Sequence, residues 1–337
     1  MNNDIKVNIP SVTMLRGLAS LGVCIMHLTA TVQSKFINEI GYYGGYGVPI
    51  FFVISGFIIP YSLFYSSYRL YNFPNFILKR IIRLDPPYLL SIAGIFLLSF
   101  ITQFSSFHSS DIIDLFNRNT LYHLFYLVGI LHGKWLNPVF WTLAIEFQFY
   151  IFIGIIFPLL VNGKRIIQLL VFLFFCLIPF FLNNNEFVPE YLLMFLPGIL
   201  LFFFITKKIN WQLFALLGII TLLLSYFKTG IPGIACPIIA TCFILFVKKP
   251  IKPLIFLGTI SYSLYLIHTP FGTDGMINFL QNYIVSESGR IWLVVLSLPM
   301  IIFIAWIFYR LIEKPSIIMA GKIQYRKKIN YKSFNKI

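Results

Sequence analysis

Apolar runs close to membrane-spanning length recur along this chain from Val12 to Tyr309. A helix needs about 20 apolar residues to cross a hydrocarbon core of about 30 Å, and within that core every backbone N–H and C=O must be bonded inside the segment. The runs are continuous rather than alternating, which excludes a β-barrel built from short segments of alternating polarity. Only 11% of the residues are charged, against about 25% in soluble domains, so a water-exposed globule of this size would lack a polar surface. The chain is expected to be all-α, a polytopic membrane protein.

Breaks at charge, Pro, Asn or Gly divide the runs into ten candidate spans, at 11–32, 45–67, 84–104, 137–160, 165–182, 189–206, 211–228, 231–247, 253–271 and 290–312. The loops between them alternate in charge. One set carries Lys6, Arg69, Lys79, Arg80, Arg83, Lys164, Arg165, Lys207, Lys208, Lys248, Lys249 and Lys252, then the tail residues Lys314, Lys322, Arg326, Lys327, Lys328, Lys332 and Lys336. The other carries Lys35, Arg118, Lys134, Lys228 and Arg290 among seven acidic residues. The positive-inside rule then places both termini in the cytoplasm, which requires an even number of spans. The net charge of +15 is thereby assigned to topology, and no nucleic-acid partner is expected.

Two units follow: a membrane domain over 1–315 and a basic cytoplasmic tail over 316–337, whose Arg326–Lys336 stretch is expected to contact anionic lipid. Between 105 and 136, Leu121–Leu131 is apolar but too short to cross and is expected to be an interfacial or re-entrant piece of an outer loop. No internal repeat is evident, and the start lacks the basic region and A-x-A site of a cleavable signal peptide. Cys24, Cys176, Cys236 and Cys242 all fall in apolar stretches without a C-x-x-C pair and are expected to be small buried hydrophobes.

Ionisable side chains inside a span are costly and mark function by default. Arg16, His27, Glu146 and His268 are such residues. Arg16 and His27 lie eleven positions apart on the first span. At about 100° per residue they project from one face, about 20° apart, with a rise of about 16 Å between them. Arg16 then falls in the inner third and His27 in the outer third. Glu146 sits about 13 Å below the outer end of the fourth span, and His268 lies near the outer end of the ninth. Matching depths for His27, Glu146 and His268 leave their contact open. Structural roles compete at each position: snorkelling for Arg16, an interhelical hydrogen bond for a membrane His, an ion pair for Glu146. His108, His123 and His132 fall in the outer loop, where solvated surface is expected. The small residues around Gly44-Gly45-Tyr46-Gly47 allow close helix approach. Arg80 and Arg83, three apart on one helical face, are either positive-inside charge or a phosphate clamp, since guanidinium pairs suit phosphate oxygens.

Six segments occur in an order that carries a resemblance. They are Leu15-Arg16-Gly17-Leu18-Ala19 with His27 (an R-x10-H pattern), the G-V-x-x-F-F-x-x-S-G-F stretch from Gly47 to Phe57, Lys79 to Tyr88, Trp141 to Tyr150, Gly258 to Pro270, and Glu313-Lys314-Pro315. With these the chain resembles the acyltransferase-3 family of integral membrane acyltransferases. The resemblance implies a ten-helix fold in the bacterial cytoplasmic (inner) membrane. It also implies transfer of an acyl group, often acetyl, from acyl-coenzyme A to a hydroxyl of a cell-surface polysaccharide, lipid-linked sugar or similar extracytoplasmic acceptor. Acyl-coenzyme A enters as donor substrate, with no permanently bound cofactor and no metal. Functional roles are carried onto Arg16 and His27 and, more loosely, onto the Ser55-Gly56-Phe57 segment, Arg80, Arg83 and Glu146. Thr142 stands where Ser is common in the family and keeps the hydroxyl. Some members carry an extra extracytoplasmic hydrolase-like domain, so direct transfer and hand-off to a separate extracytoplasmic transferase are both open.

Acyl transfer to an alcohol needs a base, stabilisation of an oxyanion and a positioned thioester. Coenzyme A is made in the cytoplasm and carries phosphates, so its nucleotide end is expected at the basic inner face, on Arg80 and Arg83. Arg16 either touches a phosphate or lines the pantetheine path, and Ser55 belongs to the same donor site. His27 is the expected general base, an acyl-His intermediate being less favoured. Glu146 would orient His27 or stabilise its imidazolium, and His268 or Tyr265 would bind the acceptor. A transporter or flippase for a lipid-linked saccharide is the alternative reading; the absent repeat and the polar pair concentrated on one helix stand against it.

Overall fold

The structure is a computed structural model that describes residues 9–30, 32–104, 118–182, 184–277, 280, 283–284 and 286–325. Among these the chain is helical, with no strand. Lys6, His108, Asp111, Asp114 and the tail residues Arg326 to Lys336 lie outside them, so the expected lipid contact of the tail and residues 105–117 of the outer loop fall outside the described residues.

Helices α1 (Pro10–Thr29), α2 (Lys35–Gly44), α3 (Gly47–Tyr65), α4 (Phe73–Phe104) and α5 (Arg118–Leu124) form the first half with α6 (Phe140–Asn162). Then follow α7 (Arg165–Phe181), α8 (Leu192–Ile205), α9 (Trp211–Thr229), α10 (Pro232–Phe246), α11 (Lys252–Thr259) and α12 (Ser261–Ile267), which continues as a π-helix over His268–Ile277. Finally α13 (Glu287–Phe308) passes through a π-helical turn at Tyr309–Glu313 into α14 (Lys314–Gly321). By length and composition seven helical stretches can cross a membrane, and the pair α11 and α12, bent by 55° at Ile260, makes an eighth. Helices α7 and α10 are apolar but shorter. This is a multi-pass membrane protein.

Several expected boundaries move. The third candidate begins at Phe73, not residue 84, because the charged Lys79, Arg80 and Arg83 continue the helix rather than interrupt it. Pro86 and Pro87 also sit inside α4 without ending it, since neighbouring helices re-satisfy the backbone groups that proline frees in membrane helices. The second candidate gains α2 in front, giving a stretch of 31 residues from Lys35 to Tyr65. The tenth runs on to Gly321. Three cysteines are buried as expected, whereas Cys242 is exposed on α10.

Two glycine contacts set the packing. A Cβ on Gly17 would lie 2.5 Å from the Gly258 nitrogen and 2.9 Å from the Leu254 carbonyl oxygen, and one on Gly258 would strike the Thr13 carbonyl. Helices α1 and α11 therefore touch backbone to backbone, the approach that small residues permit in membranes. Gly56 on α3 and Gly198 on α8 do the same: a Cβ on Gly198 would sit 2.6 Å from the Phe57 nitrogen, and one on Gly56 would strike the Phe195 carbonyl. Around the second contact lies a core of Phe52, Phe57, Phe149, Phe195 and Phe202, with Phe149 and Phe195 stacked at 3.9 Å between centroids.

Replacing Gly258 with Ala should cost about 1–3 kcal/mol, as overpacking typically does. A melting temperature in detergent unchanged from that of the wild type would show that α1 and α11 can separate freely.

Candidate active site

The expected site residues lie mostly on one cavity of about 200 Å³. Its walls come from helices that each present residues three or four apart, the spacing that shares one helical face: Val12 and Arg16 on α1, Arg80, Arg83 and Leu84 on α4, Thr142, Glu146 and Tyr150 on α6, and Ser261 and Tyr265 on α12. Helix α3 supplies Phe51, Ser55, Ile58 and Ser62. Arg16, Arg80, Arg83, Ser55, Glu146 and Tyr265 are thus brought together. His27 and His268 are not among the lining residues.

Glu146 is the polar hub of the wall. Its Oε1 accepts hydrogen bonds from Ser55 Oγ at 2.8 Å and Tyr150 Oη at 2.5 Å. It makes no hydrogen bond to His27, so the orienting contact expected from sequence is replaced by one to a serine and a tyrosine. Four positions on, Tyr150 also faces Arg80, whose guanidinium lies 5.2 Å from the Tyr150 ring centroid and 5.3 Å from that of Phe76.

The cavity is electropositive. Arg16 lies within electrostatic range of Arg83, Glu313 and Glu146. Yet none of the three guanidiniums has an ion-pair partner among the described residues. Charge in an apolar setting is stable only when paired or solvated. Two further polar atoms are buried and unmatched here, Arg80 Nε and Ser261 Oγ. A cavity with these features suits an anionic, hydrogen-bonding guest.

A second polar group adjoins the first. The His27 and His268 rings are 5.2 Å apart and tilted at 53°. His27 is ten residues beyond Gly17 and His268 ten beyond Gly258, and past the bend at Ile260 the α12 segment stays packed against α1, so the two imidazoles come together beyond the glycine contact. His268 is fully buried, its Nδ1 lies 3.1 Å from the Leu264 carbonyl oxygen, and its Nε2 has no partner. The His268 ring also meets that of Tyr265 at 5.8 Å, and the Tyr265 hydroxyl is 2.6 Å from Thr142 Oγ1. Tyr265 is the link between the cavity and the imidazole pair.

Sequence reasoning gave no role to Tyr150, Ser261 or Glu313. Thr142, Glu146 and Tyr150 form a polar stripe at four-residue spacing in a mostly apolar helix, a readable signal. Glu313 was visible only as part of a motif. The π-helical turn swings it inward, where its Oε2 accepts hydrogen bonds from Ser263 Oγ at 2.5 Å and from the Ser263 backbone N–H at 3.1 Å. This ties α12 down just past its bend. His123 reverses its expectation: it is buried, its Nε2 accepts the Leu136 N–H at 3.0 Å, and it packs edge-on to Trp135. Among the described residues no three His, Cys, Asp or Glu side chains converge to hold a metal ion.

A family model described as an acyltransferase domain matches residues 9–310, and the chain belongs to that acyltransferase-3 family. It is 28% identical to the O-acetyltransferase OatA of Staphylococcus aureus strain NCTC 8325 over 91% of this chain. The same identity and coverage hold for the protein of that name in strain COL. The chain spans 57% of the length of these relatives. No solved structure matches it.

Removing the Glu313 carboxylate should destabilise the α12 junction, since a buried hydrogen bond to a charged group contributes about 1.5–3 kcal/mol. The expected order of melting temperatures is wild type, then Glu313→Gln, then Glu313→Ala. Equal values for all three would remove Glu313 from the junction.

Proposed function

We propose that this protein is an acyl-coenzyme A-dependent O-acyltransferase that moves an acyl group, acetyl by its similarity to the O-acetyltransferases, to a hydroxyl of a cell-surface polysaccharide or lipid-linked sugar. It acts in the bacterial inner membrane, with ten spans and cytoplasmic termini. The observation that carries the proposal is a cavity in which Arg16, Arg80 and Arg83 stand without ion-pair partners among the described residues, joined through Tyr265 to His27 and His268.

In this reading the donor phosphates meet Arg80 and Arg83, with Arg16 further along the path. A cavity of about 200 Å³ is below the roughly 300 Å³ of a typical drug-sized ligand site. It suits an extended pantetheine arm, while the nucleotide stays at the arginine end. Ser55 and Ser261 offer hydroxyls to the arm, and Glu146 holds Ser55 and Tyr150 in place against the cationic wall. For the thioester to reach the imidazole pair, the Phe51 and Tyr265 rings, in edge-to-face contact at 5.8 Å between centroids, must part.

There His27, the less enclosed of the two imidazoles, accepts the proton of the acceptor hydroxyl. The alcohol oxygen bonds to the acyl carbon, the C–S bond breaks, and the leaving thiolate takes the proton back as the thiol of coenzyme A. His268 and Tyr265 line the acceptor side.

His27→Ala should lower transfer of labelled acetyl from acetyl-coenzyme A by about 10²–10⁴-fold, the range for losing a positioned general base, with membrane insertion intact; near-normal acylation would refute the assignment. Replacing Arg80 and Arg83 together by Glu should raise KM for acetyl-coenzyme A far more than it changes KM for the acceptor. Unchanged donor affinity would remove them from the donor site.

A further inference from the structure

Away from the donor cavity, α7, α8 and α9 enclose a second crevice of about 550 Å³. Its depths are apolar: Phe172 and Phe175 on α7, Leu196 and Leu200 on α8, Leu213 and Leu217 on α9. Its polar groups gather at one end, where α7 begins and α8 turns into α9. Arg165 and Lys208 stand at that rim, both exposed. The Lys208 ammonium rests 5.6 Å from the Phe64 ring centroid. The two neutral polar side chains are occupied locally, Gln168 donating to the Leu160 carbonyl at 2.8 Å and Asn210 accepting the Leu213 N–H at 3.0 Å. The cations are therefore the groups left to meet a guest.

We infer that this crevice is a binding site for one anionic phospholipid, its phosphate held by Arg165 and Lys208 and an acyl chain lying along α8. The dimensions agree. From Arg165 to Phe175 is ten residues, a rise of about 15 Å, which is half of a hydrocarbon core of about 30 Å and so the depth of one leaflet. Two cations at headgroup level above an apolar slot fit a phosphate above a chain, and basic pockets between membrane helices bind anionic headgroups in this way. None of these residues lines the donor cavity, so the inference stands or falls separately from the proposed enzyme activity.

The test is native mass spectrometry of the full chain in detergent, with phosphatidylglycerol and phosphatidylcholine of the same acyl chains in competition. The wild type should retain phosphatidylglycerol preferentially, by about thirtyfold for two cations acting near the membrane surface. Arg165→Ala with Lys208→Ala should abolish the preference. Lys249→Ala with Lys252→Ala, which removes two cations outside the crevice, should keep it. A second variant, Leu213→Trp, leaves the charges and fills the slot, and it should lose bound lipid of both kinds. The inference is overturned if the wild type shows no headgroup preference, if both cation pairs reduce the preference equally, or if Leu213→Trp binds phosphatidylglycerol like the wild type.

Discussion

The backbone contact between Gly17 and Gly258 is the constraint on which the site depends. Lipid tails are as apolar as leucine, so no hydrophobic force presses membrane helices together, and close packing must supply the attraction. Two glycines facing each other let α1 and α11 meet at a separation that any side chain would prevent. Past that point the chain bends at Ile260 and α12 packs on against α1, and there the imidazoles of His27 and His268 meet.

Charge is arranged around the same axis. Arginine in a hydrocarbon setting is tolerated only where it faces a partner or a polar cavity. Here Arg16, Arg80 and Arg83 face a shared space with one carboxylate, Glu146, in its wall. Glu146 is itself held by Ser55 and Tyr150, so it stays put while the arginines remain free to meet an anion. The aromatic faces of Phe76 and Tyr150 steady the Arg80 guanidinium without neutralising it, as cation–π contacts do.

Much of this fold was legible in the sequence because apolar length is a strong signal. Each of the ten apolar segments coincides with a helical stretch, although some ends differ. At α4 the charges of Lys79, Arg80 and Arg83 mark a break in the apolar pattern where the helix in fact continues. The cost of burying ionisable groups also singled out the polar residues that line the cavity. What could not be read was their partners. Residue counting gives Glu146 and His27 similar depths, but it does not specify azimuth, and the carboxylate faces Ser55 across the α3–α6 interface. His123 was misjudged because loop residues are assumed to be wet, whereas this loop folds back on Trp135 and buries its own imidazole. Glu313 escaped because its orientation comes from a π-helical turn, and ordinary helical phase would have pointed it elsewhere.

That turn has a bearing on how the chain can vary. A π-helical turn holds one more residue than an α-turn, and the surplus at Tyr309–Glu313 sets the phase of everything after it. Shortening the stretch by one position would rotate the following residues by about 100°, carrying the Glu313 carboxylate off Ser263 and re-aiming α14 with it. The spacing between Tyr309 and Lys314 is therefore as much a determinant of the α12 junction as the identity of the glutamate, and substitutions at the exposed Arg310 and Leu311 should be tolerated where deletions are not.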